Sequence, residues 1–228
     1  MNTIALICLL LTIVIYLLCK KLYARYPILV FTPIILISTI IFIGLAIFDI
    51  SYHEYITYNQ WLIWLLGPIT VAFAIPIYEY RYLILKHTIS IGIGVVLGML
   101  VGVLIAYGFS RLFGFNDEIT HSLMARSIST PFAIELAKST KGSAELATAF
   151  TMMTGITGVV IGDFVLGWIK LDSHFAQGAA FGNAAHGFGS AKAMQRHQEE
   201  GVIASLTMVV AGLFMVLVGP WLITSLTT

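Results

Sequence analysis

Residues 88–109 read TISIGIGVVLGMLVGVLIAYGF, a run without one charged side chain. At a rise of about 1.5 Å per residue, such a helix reaches across the roughly 30 Å hydrocarbon core of a bilayer. Working outward, residues 28–48, 147–169 and 202–223 have the same length and character. Residues 4–19 form a slightly shorter run, which Lys20, Lys21 and Tyr23 extend by snorkelling. The basic cluster Lys20, Lys21 and Arg25 follows this run, and no small-residue cleavage site comes after it, so it reads as a retained helix rather than a signal peptide. The composition agrees: 59% of the residues are hydrophobic and 10% charged. A soluble domain carries about 25% charge, and a disordered chain needs high charge with low hydrophobicity. The net charge of +1 provides no basic field for nucleic acid. Cys8 and Cys19 share one apolar run, which suits neither a disulfide scaffold nor a structural metal, and no cofactor is expected.

Three further segments are apolar but interrupted. Residues 61–77 carry Gly67, Pro68 and Pro76; residues 122–137 carry Arg126 and Pro131; residues 175–194 carry Gly178, Gly182, His186, Gly187 and Gly189. A bilayer tolerates broken helices only where protein or a water-filled cavity satisfies the freed backbone groups. The expectation is an all-α polytopic membrane protein of seven or eight transmembrane segments, one domain over 1–228, with segments 3, 5 and 7 broken or re-entrant. If all eight cross, one side holds Lys20, Lys21, Arg25, Arg81, Lys86, Lys138, Lys141, Lys192 and Arg196, and the other holds Arg111 and Lys170. Nine against two places the N-terminus outside, together with the acidic stretch 49–60 read as a loop. A segment that enters and leaves on one side would change that count locally.

A faint repeat accompanies the breaks. Residues 72–76 (AFAIP) return loosely as 131–135 (PFAIE), and 94–98 (GVVLG) as 158–162 (GVVIG). Broken segments at matching positions of two halves point to a transporter's binding site, usually in inverted repeats. With eight crossings these two pairs point the same way, and a re-entrant segment would supply the inversion. The spacings Gly94/Gly98, Gly98/Gly102, Gly158/Gly162 and Gly178/Gly182 favour close helix approach, within the molecule more readily than in a dimer.

The polar residues inside these segments are the candidates for chemistry. Arg126 sits before Pro131 with Ser127, Ser129 and Thr130 beside it, an arrangement suited to a carboxylate held by a planar two-pronged donor; snorkelling to an interface is the alternative. Asn183 and His186, three apart, share a helix face ahead of Gly187. They suit a substrate or proton role, because histidine changes charge between about pH 5 and 8, or else an interhelical bond. Asp163 is expected to pair with Arg126 or to carry a proton, and Glu135 to reach the inner loop. His53, His87, His121, His174 and His197 read as loop residues without a role, and the six histidines show no metal spacing. No Walker-type loop and no nucleophile–base set is present, so neither ATP-driven transport nor an enzyme is expected.

Several of these strings together resemble the LrgB/CidB membrane protein family: Leu66-Gly67-Pro68 through Thr70 to Pro76, Arg126-Ser127-Ile128-Ser129-Thr130-Pro131, Thr154-Gly155-Ile156-Thr157-Gly158, Gly182-Asn183 through His186-Gly187 to Lys192, and Glu200-Gly201. The resemblance implies two competing functions. One is secondary transport of small monocarboxylates of the pyruvate, glycolate and glycerate class across a bacterial cytoplasmic membrane. The other is antiholin-like regulation of murein hydrolase activity and autolysis. Both imply work with a smaller LrgA/CidA-like membrane partner. The expected transport site joins Gly67, Pro68 and Thr70 to Arg126, Ser129, Thr130 and Pro131 and to Asn183, His186 and Gly187, with His186 and Asp163 as coupling candidates, in a possible homodimer.

Overall fold

The computed structural model describes residues 3–26, 28, 31–72 and 74–227, without the side chains of residues 34, 66, 69, 70, 74, 76 and 77. Two compact units emerge, 1–69 and 70–228. Among the described residues four helices are long and apolar enough to cross a membrane: Thr3–Arg25 (α1), Thr88–Leu112 (α7), Ala144–Trp168 (α10) and Gln198–Thr227 (α12).

In the first unit α1 packs against both α2, Pro33–Ile47, and α3, Tyr52–Trp64. The predicted second span is shorter than expected. Proline enters the first turn of α2, which then runs only 15 residues, about 22 Å. Most of the stretch read as an acidic loop is also helix. Ser51 accepts from the Glu54 amide while the Glu54 carboxylate takes the Ser51 N–H, a capping box that starts α3. Segment 3 is interrupted at Leu65, three residues before Pro68, where α3 gives way to Leu66–Ala72 (α4); Ala74–Glu79 (α5) and Arg81–Lys86 (α6) follow, and Phe73 lies outside the described residues.

The second unit is organised around α12. Its first residues define a near end and its last residues a far end. α7 starts at the near end, where His87 packs on Phe175 with ring centroids 4.6 Å apart. Asp117–Met124 (α8) then begins at the far end, where His121 Nε2 lies 3.2 Å from Thr227 Oγ1. A 3₁₀ turn at Ala125–Ser127 and an extended Ile128 reverse the chain into Thr130–Ser139 (α9). α9 returns along α12, with Phe132 against Gly212 and Leu136 against Gly219. The reversal is closed by Ser122 and Ser143, since the Ser143 N–H donates to Ser122 Oγ at 2.8 Å. Segment 5 therefore enters and leaves at one end.

Segment 7 does the same from the other end. His174–Arg196 (α11) is interrupted at His186, whose φ of 50° and ψ of −127° lie outside helical space. Beyond it the chain folds back, and Gly189 packs on the Phe181 carbonyl. Both limbs end at the near end, where the His174 and His197 rings stack. The first limb lies so close to α12 that Gly178 and Gly182 face the main chain of Glu200 and Ala204.

Because segment 5 turns back, α7 and α10 run in opposite directions, and the GVVLG and GVVIG runs belong to inverted elements. The charge count based on eight crossings also changes, since Lys138 and Lys141 join Arg111 at the far end while Lys170 joins Lys192 and Arg196 at the near end.

Candidate functional site

The tips of the two hairpins meet between α7 and α10. From the first hairpin come Arg126, Ser127 and Ser129, and from the second Asn183, Ala185 and His186. Glycines let them settle. A Cβ on Gly102 of α7 would stand 2.6 Å from Ser127 Oγ, and one on Gly158 of α10 would stand 2.6 Å from Ala185 Cβ. These are closer than non-bonded carbon or oxygen atoms sit. Of the small-residue positions, Gly98, Gly102, Gly158, Gly162, Gly178 and Gly182 therefore serve packing inside this unit, whereas a Cβ on Gly94 would meet nothing within 4 Å. Asn183 Nδ2 completes the arrangement by donating to the Gly94 carbonyl at 3.1 Å.

Arg126 Nη1 donates to Thr154 Oγ1 on α10 at 3.0 Å, and that hydroxyl donates in turn to the Phe150 carbonyl. Among the described residues Arg126 makes no ion pair, so most of its five N–H donors have no protein acceptor. A guanidinium placed in this way costs free energy unless an anion or water answers it. Around it lies a cavity of about 520 Å³ lined by Leu123, Arg126, Phe150, Thr154, Ile161 and Ala184, among others.

The tips also concentrate unanswered polar atoms. Ser129 Oγ, Asn183 Oδ1 and both ring nitrogens of His186 are buried without a well-formed hydrogen bond among the described residues. Native interiors leave few such atoms, and those that occur call for an explanation. The His186 ring faces the Ser127 main chain and the Arg126 charge. Its backbone sits at positive φ, a conformation that costs a non-glycine residue roughly 1–3 kcal/mol and that gathers at functional sites. Ser129 caps α9 by position, with Thr130 and Pro131 in the first turn, and its side chain makes no capping bond. The N-terminus of α9 therefore lies at this tip.

Other expectations are redistributed. Asp163 does not meet Arg126. It pairs with Lys192 Nζ at 2.9 Å and with Arg196, tying α10 to the base of the second hairpin. Arg196 also reaches Gln177 and, at 2.8 Å, the buried Glu200 carboxylate, which is 2.7 Å from His174 Nδ1. His174, read as a loop residue, is the first residue of α11 in this network. His121, also read as a loop residue, is buried within α8. Glu135 pairs with Lys138 at the surface. Gly67 and Pro68 are exposed, and the Thr70 side chain lies outside the described residues. Thr154 was given no role from the sequence, although it stands inside one of the quoted motifs.

Four helices long and apolar enough to cross a membrane, with two hairpins turned back from opposite ends toward a polar centre, mark a multi-pass membrane protein. The chain belongs to the LrgB-like family, whose model matches residues 12–225. It is 33% identical to the uncharacterized protein YxaC of Bacillus subtilis strain 168, over 95% of this chain and 94% of that protein. It is 30% identical to YwbG of the same organism, over 96% and 98%. The holin-like protein CidB of Staphylococcus aureus strain N315 is 30% identical, over 96% of each chain. No solved structure matches the chain.

Proposed function

We propose that this protein is a secondary transporter of small monocarboxylates, which bind between the hairpin tips with the carboxylate on Arg126. The observation that carries the reading is a guanidinium without an anionic partner at the meeting point of two re-entrant hairpins. One monovalent cation with hydroxyls beside it matches one carboxylate. The amides at the α9 N-terminus add partial positive charge, and Ser129, Thr154 and Asn183 supply groups that read an oxo or hydroxyl substituent. Hairpins entering from opposite ends give each end of the molecule one movable element, as alternating access requires. His186 is the coupling group in this proposal. Asp163, bound to Lys192 and Arg196, anchors a hairpin instead. The protein acts in a bacterial cytoplasmic membrane with its N-terminus outside, beside an LrgA/CidA-like partner, as a dimer, and without enzymatic activity.

The holin-like name of the CidB relatives favours a second reading, antiholin-like control of murein hydrolases and autolysis without a transport cycle. Uptake of labelled pyruvate and glycolate into proteoliposomes, with and without the small partner, separates the two. Saturable flux lost in Arg126→Lys supports transport. Absence of specific flux in both preparations favours the regulatory reading.

A further inference from the structure

The cavity at Arg126 is far larger than a three-carbon acid and almost wholly apolar beyond its arginine and two threonines. At about 520 Å³ it is lined by Leu123, Phe150, Met153, Ile161 and Ala184, a volume in the range that takes drug-sized ligands. Its wall is a single face of α10, on which Met153 is 65% and Ile161 48% exposed. Within this unit the groove runs along that apolar face of α10. Of its lining residues Arg126 is the charged one, and no carboxylate stands among them.

We propose that this groove binds aliphatic monocarboxylates with an extended hydrocarbon body, the carboxylate on Arg126 and the chain along Phe150, Met153 and Ile161. The proposal deepens the transport reading and rests on its assignment of Arg126. A second carboxylate at the far end of the body would have to be desolvated against the apolar wall without a partner, which disfavours dicarboxylates, while an oxo or hydroxyl group beside the carboxylate still meets Thr154. Each methylene laid on that wall instead leaves water.

The test is a titration of the protein in phosphatidylcholine nanodiscs with the straight-chain series acetate, butanoate, hexanoate and octanoate, and with pyruvate. The Arg126→Gln variant provides the measure of partition into the lipid. Affinity above that background is expected to rise about fourfold per methylene through the middle of the series. Thr157→Phe, which pushes a ring into the groove, is expected to move the strongest binder to a shorter chain. If acetate and pyruvate bind but longer acids gain nothing, the tail groove is refuted while the Arg126 anion site stands. If no carboxylate binds above background, both readings fall. If phosphatidylglycerol in the nanodisc displaces octanoate but acetate does not, the groove is a lipid site and the proposal is wrong.

Discussion

His174 opens α11 and His197 follows its last residue, yet their rings stack with centroids 4.1 Å apart. A straight helix of 23 residues would hold them roughly 35 Å apart. The turn at His186 is what brings them together, and it converts an apparent membrane span into a hairpin.

Single cysteines test that geometry directly, in a background where Cys8 and Cys19 are serine. Cysteines at Asp172 and Gln198 should label from one face of the membrane, and cysteines at Asn116 and Lys141 from the opposite face. Labelling of positions 116 and 141 from different faces would show that segment 5 crosses.

The base of the second hairpin predicts an order of stabilities. Glu200 is buried and binds both Arg196 and His174, so Glu200→Gln should cost about 2 kcal/mol. The Asp163 side chain is 44% exposed, and solvent screens its pairs with Lys192 and Arg196. Asp163→Asn should cost less than about 1 kcal/mol. Thermal unfolding in detergent measures both, and equal losses would contradict the burial argument.

Gly158→Ala places a methyl group 2.6 Å from Ala185 Cβ, whereas nothing lies within 4 Å of the same substitution at Gly94. The first should lower stability by about 1–3 kcal/mol through overpacking, and the second should be nearly silent. Neither should alter the mass of the assembly, because the Gly158 stripe faces the second hairpin. A loss of dimer specific to Gly158→Ala would assign that stripe to an interface between copies.

At the tips, Arg126→Lys should reduce carboxylate flux about tenfold, equivalent to about 1.4 kcal/mol, because an ammonium cannot reproduce a planar fork. Asn183→Ala removes the bond to the Gly94 carbonyl and should reduce flux comparably. Expression and assembly size should be retained in both variants. Normal transport by the two together would leave these polar groups as packing elements only.

His186 combines two roles that substitution separates. His186→Gly relieves the positive-φ backbone and should leave the melting temperature equal or higher, while abolishing any pH response carried by the ring. His186→Gln keeps a polar side chain and should flatten the pH dependence of flux if the ring carries the coupled proton. An unchanged pH profile in both variants would remove His186 from the coupling step.

The sequence by itself determined that the chain belongs in a bilayer, which of its segments break, and which residue types stand at the breaks. Those properties are local: apolar length fixes the partition into lipid, and Pro131, Pro68 and the glycines around His186 end hydrogen-bonded turns wherever the chain goes. The Ser51 capping box was equally local and readable, though its stretch looked like an acidic loop. The tertiary structure alone decided direction and partnership. Whether a broken apolar segment crosses or returns depends on what its second half packs against, and α12 supplies that surface through Gly212 and Gly219 for one hairpin and through Glu200 and Ala204 for the other. The same cause moved Asp163 from Arg126 to Lys192 and Arg196, because those residues stand on the returning limb that the bend at His186 brings back. Charge partners in a membrane are set by which helix ends share a face, and that follows from three-dimensional packing rather than from distance along the chain.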